Sequence, residues 1–70
     1  MIRLNGVEYE YSPGLSLGEL VEYHNRNHSR LRFEGCVTVV DGAALDAARA
    51  PGWALEGDET IFIVPKLDGG

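Results

Sequence analysis

Residues 16–24 read Ser-Leu-Gly-Glu-Leu-Val-Glu-Tyr-His, and this stretch predicts the one main helix of the chain. Ser16 and Glu19 have the spacing of a capping box, which satisfies two backbone donors at a helix start. The residues predicted to share the buried helix face follow at i, i+3, i+4 and i+7: Leu17, Leu20, Val21 and His24. Gly18 is expected to weaken the first turn by up to about 1 kcal/mol relative to Ala. Polar residues at 25–29 are expected to end the helix.

The segment before the helix, residues 2–11, predicts a β-hairpin. Asn5-Gly6 is a strong two-residue hairpin turn, because both residue types tolerate a positive φ. Apolar residues at 7, 9 and 11 then alternate with Glu8 and Glu10, as in a half-buried strand. The breaker Ser12-Pro13-Gly14 separates this strand from the helix.

Two further strands are predicted after the helix. Residues 36–40, Cys-Val-Thr-Val-Val, are the most β-prone segment and carry apolar groups on both faces, which favours a central strand. Residues 43–50, after the Asp41-Gly42 turn, are expected to form one or two helical turns. Residues 60–64, Thr-Ile-Phe-Ile-Val, form the last strand, which Pro65 closes or places at an edge of the sheet. Trp53 and Leu55 are expected to pack back on the core.

This order predicts an α+β domain in which a mixed four- to five-stranded sheet packs on one main helix. The first and last strands are expected to pair in parallel at the centre of the sheet. The domain is expected to cover residues 1–66, followed by a short Gly-Gly tail at 67–70.

Composition narrows the classes of partner. The 70 residues carry a net charge of −5, so nucleic acid is a poor partner and a basic docking surface a better one. No apolar run approaches the roughly 20 residues that cross a bilayer, and the N-terminus lacks a signal-peptide pattern. The single cysteine, Cys36, fits a reducing compartment, so we expect a cytoplasmic protein. A chain this short is expected to be a partner or substrate of enzymes rather than an enzyme.

Three groups of side chains were candidates for chemistry. His24 and His28 are four residues apart, but zinc needs at least three protein ligands, so we expect solvated or capping histidines and no metal. Cys36 is expected to act as a small core residue. The acidic side chains are expected to form a solvated surface: Glu8, Glu10, Glu56, Asp58 and Glu59.

The last strand also predicts an exposed apolar patch. If Ile61 and Ile63 face the helix, alternation places Phe62 and Val64 on the open face of the sheet. Val37 and Val39 are then expected on the same face. Such patches often mark partner surfaces. The alternative is that the loop carrying Trp53 covers part of the patch.

The printed sequence ends in Gly69-Gly70, a thin segment that presents a carboxylate. ATP can convert a carboxylate to an acyl-adenylate, and a sulfur nucleophile can then displace AMP to leave a thiocarboxylate. Taken alone, the dipeptide also fits an unspecialised chain end.

Several segments together resemble the ThiS/MoaD family of ubiquitin-like sulfur carriers. They are Ile-Arg-Leu-Asn-Gly at 2–6, Pro-Gly-Leu-Ser-Leu-Gly-Glu-Leu at 13–20, Val-Val-Asp-Gly at 39–42, Leu-Glu-Gly-Asp-Glu at 55–59 and the final Gly-Gly. The short length and Trp53 are more similar to the thiazole-forming branch, of thiamin biosynthesis, than to the molybdopterin branch. Asp68 departs from the small or apolar residue that the family usually has there.

The resemblance implies a β-grasp fold and no bound cofactor, with ATP used by a ubiquitin-activating-like adenylyltransferase. Sulfur would come from a desulfurase or rhodanese, and the acceptor would be a thiazole synthase or similar enzyme. Gly70 would carry the thiocarboxylate and Gly69 would pass through the active-site channel. The residues expected to contact partners are Leu67, Asp68, Phe62, Val64, Val37 and Val39. The alternatives are a sulfur carrier for molybdopterin, cysteine or another metabolite, a ubiquitin-like modifier, or a binding module.

Overall fold

A computed structural model describes residues 1–28 and 30–66 of the chain. Its elements are β1 Ile2–Leu4, β2 Val7–Tyr9, α1 Leu17–Asn27, β3 Cys36–Val40, β4 Ala43–Leu45, a 3-10 helix Ala50–Gly52, and β5 Thr60–Pro65. The sheet order is β2-β1-β5-β3-β4, with β1 and β5 parallel and the other pairs antiparallel. The predicted α+β domain, a five-stranded mixed sheet on one helix with the arrangement of a β-grasp fold, is confirmed.

Helix α1 begins at the predicted capping box. The Glu19 backbone N–H donates to Ser16 Oγ at 3.2 Å, and the Ser16 N–H donates to Glu19 Oε1 at 3.1 Å. The predicted helix face is buried, from Leu17 to His24. The last turn is closed by the backbone N–H of His28, which donates to the His24 carbonyl.

The core lies between α1 and one face of the sheet. Its apolar members alternate along the strands as a sheet with one covered face requires. They are Ile2, Leu4, Tyr9, Leu17, Leu20, Val21, Val40, Ala50, Leu55, Ile61 and Ile63. Leu55 is buried as predicted, whereas Trp53 keeps 39% of its surface exposed.

Two hairpin turns have the same backbone geometry. Asn5 and Asp41 both have φ of 49°, and the glycine after each has φ of 85°. Two consecutive residues of positive φ form the turn whose twist matches an antiparallel hairpin. The second turn therefore returns the chain along β3, where Ala43, Ala44 and Leu45 pair with Val40, Val39 and Thr38.

The helical turns predicted for residues 43–50 are therefore wrong for the first three residues, which form an edge strand. After Leu45 the chain forms a hydrogen-bonded turn, in which the Asp46 carbonyl accepts from the N–H groups of Arg49 and Ala50. The 3-10 helix Ala50–Gly52 follows. No helix in the described parts of the chain is long and apolar enough to cross a membrane.

The segment after the 3-10 helix lies against the start of α1. The Leu17 N–H donates to the Trp53 carbonyl at 2.9 Å, and the Leu55 N–H donates to the Leu15 carbonyl at 3.0 Å. A Cβ atom on Gly18 would lie 2.7 Å from the Pro51 carbonyl oxygen. Glycine at this position therefore allows the two segments to approach closely, a role beyond the loss of helix stability that the sequence predicts.

Candidate partner-binding face

The face of the sheet opposite α1 carries an apolar patch formed by Phe62, Val64, Val37 and Val39, here called the open-face patch. Phe62 is 47% exposed and Val64 is 44% exposed, whereas the residues that alternate with them, Ile61 and Ile63, are buried. Val39 is the direct cross-strand partner of Phe62, and Val37 is the partner of Val64. The register therefore brings the four predicted residues together as two neighbouring pairs, which confirms the predicted arrangement.

The surroundings of the open-face patch differ on its two sides. Across β3, Ala44 of the edge strand is the partner of Val39 and is exposed. Across β1, Arg3 pairs in register with Thr60, and its Nε lies 3.3 Å from a carboxylate oxygen of Glu8. The open-face patch thus extends towards the β4 edge and is limited towards β2 by an exposed ion pair.

The loop carrying Trp53 leaves the open-face patch uncovered. Its backbone is bonded to Leu15 and Leu17, at the start of the helix on the other side of the sheet. The exposed fractions of Phe62 and Val64 agree with this placement. The alternative that the Trp53 loop covers part of the patch is therefore wrong.

Strand β5 connects the open-face patch to the end of the chain. Its last hydrogen bond to a neighbouring segment within the described residues is from the Lys66 N–H to the Gly35 carbonyl, at 3.0 Å. The predicted sulfur site, Gly70, with Gly69, Leu67 and Asp68, lies outside the described residues. The patch residues Phe62 and Val64 belong to the strand that leads directly into this segment.

Of the two histidines, His28 is the exposed capping residue that was expected, whereas His24 is buried. His24 is only 2% exposed, and its Nδ1 lies 2.5 Å from the Tyr9 hydroxyl. His28 is exposed at the helix end and stacks on His24, with 5.1 Å between ring centroids. The prediction of a solvated side chain is therefore wrong for His24, because the buried Tyr9 supplies the hydrogen-bond partner that a core imidazole needs.

Burial also affects the protonation of the two side chains in this contact, Tyr9 and His24. Desolvation, followed by the nearby His28, lowers the pKa of His24, and desolvation with a contribution from Tyr23 raises the pKa of Tyr9. Both shifts favour the neutral forms, which can share one hydrogen bond. Within residues 1–28 and 30–66, no three His, Cys, Asp or Glu side chains are grouped as a metal site.

Glu59 is a second titratable residue with a structural role, one that its place in an acidic stretch of sequence does not predict. It is 6% exposed, and its carboxylate accepts from the N–H groups of Glu56 at 2.6 Å and Gly57 at 2.9 Å. Burial alone would raise the pKa of Glu59, but backbone N–H groups of residues 56–59 outweigh it and lower that pKa. The expected solvated surface is therefore wrong at Glu59, which holds the turn before β5.

Asn5 has a role beyond its turn geometry. Its side-chain Nδ2 donates to the Ile63 carbonyl at 3.0 Å, and its Oδ1 accepts from the Ile63 N–H at 2.8 Å. These two bonds extend the β1–β5 pairing past the end of β1.

Cys36 is half-buried and packs against the core, next to Pro65 in the ladder, as expected of a small apolar residue.

Comparisons with models of known protein families, with curated proteins and with solved structures find no match to this chain.

Proposed function

We propose that the protein is a cytoplasmic sulfur carrier, whose Gly70 carboxylate is adenylated and converted to a thiocarboxylate for thiamin thiazole biosynthesis. The observation that carries the proposal is the open-face patch on β5, the strand that leads into residues 67–70. Its support from the sequence is the resemblance to the ThiS/MoaD family. In this proposal the chain is a protein co-substrate, and the catalytic groups belong to its partners.

In the proposed chemistry, the chain itself supplies only a carboxylate that the active site of the partner can reach. The Gly70 carboxylate attacks the α-phosphate of ATP, and pyrophosphate leaves. Hydrosulfide then attacks the carbonyl carbon, a C–S bond forms, the bond to AMP breaks, and the thiocarboxylate remains. The activating partner supplies the ATP site, so the carrier must present its last residues in a defined position.

The open-face patch suits that requirement. Four apolar side chains on two adjacent strands form a surface that a partner can cover while residues 67–70 enter its active site. Burial of exposed apolar area on association contributes about 25 cal/mol per Å² before the entropic costs of binding are subtracted. The core side of β5 is undisturbed by such contact, because Ile61 and Ile63 point towards α1.

The first test is intact mass spectrometry of the protein incubated with ATP, a ubiquitin-activating-like adenylyltransferase and a sulfide source. We expect a species heavier by one adenylyl group, followed by one in which sulfur replaces a terminal oxygen. The matched control is the chain lacking Gly70, which is expected to remain unmodified and to unfold at the same denaturant concentration. Adenylation of that control, or no reaction of the full chain, would contradict the proposal.

The second test addresses the open-face patch. Phe62→Ala is expected to weaken binding to the adenylyltransferase while lowering the free energy of unfolding by about 1 kcal/mol or less, because the side chain is nearly half exposed. Tyr23→Ala is the control, since Tyr23 is 53% exposed but lies on α1. Equal loss of affinity in both variants would show that the partner does not recognise the sheet face.

The alternatives use the same fold and differ in the product. A carrier for molybdopterin, cysteine or another metabolite would form the same thiocarboxylate with a different acceptor enzyme. A ubiquitin-like modifier would instead form an isopeptide bond, which appears as high-mass conjugates in a cell extract. A binding module would keep its partner after loss of residues 67–70.

A further inference from the structure

The positive charges of this acidic chain are concentrated at one end of the molecule. The chain has six Lys and Arg residues against eleven Asp and Glu residues. Five of the six cations line three surface clefts that adjoin one another around the start of β3 and the end of β5. These five residues are called the basic belt: Arg26, Arg30, Arg32, Arg49 and Lys66.

The three clefts form a continuous surface because neighbouring clefts share residues. The first lies beside the end of α1 and is lined by Arg26, Arg30 and Arg32. The second shares Arg30 and Arg32 and extends over Cys36 and Pro65. The third shares Cys36 and adds Lys66 and Arg49. The belt therefore follows the end of the sheet from which residues 67–70 continue.

The charge balance of this end is opposite to that of the rest of the molecule. Three carboxylates line the same clefts against the five cations of the belt: Glu22, Glu34 and Asp46. At the α1 side of the belt, Arg26 and Glu22 also border a further cleft, which carries Glu10 and Glu19, so the surplus of cations lies mainly at the other four belt residues. On the remaining described residues, Arg3 is the one Lys or Arg side chain, against seven carboxylates: Glu8, Glu10, Glu19, Asp41, Glu56, Asp58 and Glu59. Although the net charge of the chain is −5, the described residues at this end of the molecule therefore carry more cations than carboxylates.

The belt residues are available for a partner. All five are exposed, and none forms a salt bridge with a carboxylate of the described residues. Arg26 has a local role, because a cation in the last helical turn interacts favourably with the helix dipole. The other four lie outside α1, so that stabilisation does not explain them.

We propose that the basic belt docks a carboxylate-rich segment of a partner protein. Lys66 follows Val64 by two residues, so a partner that covers the open-face patch and follows β5 towards residue 67 reaches the belt. The cations line three clefts instead of converging on one, which suits an extended acidic segment better than a single small anion. Complementary charge of this kind increases the association rate and selects the orientation of docking.

This inference rests on the proposed function only for the identity of the partner, which would be an activating or acceptor enzyme. The binding of carboxylates at the belt does not depend on it. The net charge of −5 predicts a basic docking surface on the partner. The distribution of charges requires the reverse near the chain end: carboxylates of the partner are expected beside the belt.

The test is a titration of ¹⁵N-labelled protein with a capped oligoglutamate peptide at low salt, followed by amide chemical shifts. We expect saturable shifts confined to the belt and its clefts, at residues 26, 30–36, 49 and 66. The double variant Arg30→Gln with Arg32→Gln is expected to weaken binding by about tenfold, since each exposed charge pair contributes roughly 0.2–1 kcal/mol. Added salt is expected to weaken binding of the unmodified chain as well.

The matched control is the double variant Ser12→Glu with Ala54→Glu, which makes the same change in net charge at exposed positions near the start of α1. Its affinity for the peptide is expected to stay close to that of the unmodified chain. An equal loss in the control would overturn the proposal, because net charge and not the belt would then control binding. The same shifts with inorganic phosphate at equal concentration would also overturn it, in favour of a small-anion site.

The peptide titration and the mass measurement separate the two proposals. Peptide binding at the belt without adenylation would support the proposed role of the belt and contradict the sulfur-carrier function. The opposite result is adenylation of the chain without peptide binding, at a rate that is the same at low salt in the Arg30→Gln and Arg32→Gln double variant. That result would contradict the role of the belt and leave the carrier function supported.

Discussion

Replacement of Gly18 by alanine sets two effects of opposite sign against each other. Gly18 lies in the first turn of α1, where alanine stabilises a helix by about 0.8–1 kcal/mol relative to glycine. The added Cβ atom, however, would lie 2.7 Å from the carbonyl oxygen of Pro51 and 3.3 Å from two further backbone atoms of that residue. Carbon and oxygen atoms do not approach to 2.7 Å without a shift of one of the segments.

The structure indicates that this shift costs more than the helix gains. The atoms in the way are backbone, and they belong to a 3-10 helix that contains a proline and the fully buried Ala50. Overpacking of a well-packed contact costs typically about 1–3 kcal/mol. We therefore expect Gly18→Ala to lower the free energy of unfolding by about 1 kcal/mol net, which corresponds to roughly 4–8 °C in Tm for a domain of this size.

Urea denaturation followed by circular dichroism measures the effect, with Gly52→Ala as the matched control. Gly52 lies in the same contact region, but a Cβ atom there would meet no atom within 4 Å and its φ is not positive, so its alanine variant is expected to be nearly neutral. A Gly18→Ala variant that is more stable than the unmodified chain would refute the reasoning. It would show that the two segments separate at little cost.

Three further predictions concern polar groups held by the fold. Asn5→Gly keeps the turn but removes both side-chain bonds to Ile63, so it is expected to cost about 1–3 kcal/mol in denaturant unfolding; an unchanged midpoint would show that those bonds add nothing. The pKa of His24 is lowered below its usual 6.5, so the free energy of unfolding is expected to be largest above pH 6.5 and to fall as the pH drops towards the lowered value. Denaturation at pH 7.5 and at pH 5.5 measures this loss, and His24→Leu is expected to remove it. The lowered pKa of Glu59 predicts stability that is present above pH 4.5 and lost as the pH falls through the lowered value, so Glu59→Gln is expected to cost about 1–3 kcal/mol at pH 7 and progressively less in acid.

The elements that sequence predicts well are those determined by local geometry. The capping box at Ser16 and Glu19 places the start of α1, and alternation in residues 60–64 assigns the two faces of β5. Strand β4 was missed because Ala43 and Ala44 favour helix when taken alone. The preceding Asp41-Gly42 turn was the available signal, since it returns the chain along β3 and so provides a ladder partner for any residues that follow.

The contacts that sequence reasoning missed join residues that are distant along the chain. Tyr9 and His24 are 15 residues apart, and Asn5 and Ile63 are 58 apart. His24 occupied a position of the apolar helix face, which predicted burial, but its polar type favoured a solvated interpretation. Only the placement of a tyrosine hydroxyl opposite the ring makes that burial stable. The grouping of cations at one end likewise depends on which loops the fold brings together.

The position of β5 in the sheet separates recognition from stability. The strand lies between β1 and β3. It pairs with β3 over residues 61–65, and on its other side with β1 at Thr60 and Ile61 and with the Asn5 side chain at Ile63, so opening it disrupts the middle of the sheet. Its inward residues Ile61 and Ile63 hold the core, while Phe62 and Val64 are exposed on the other face. A partner can therefore contact β5 through side chains that contribute little to folding. Because the strand is held firmly, Lys66 stays at a set position relative to the open-face patch, and the segment beyond it starts from a fixed point. This arrangement would suit the proposed sulfur-carrier function, in which the last residue has to reach the active site of another protein.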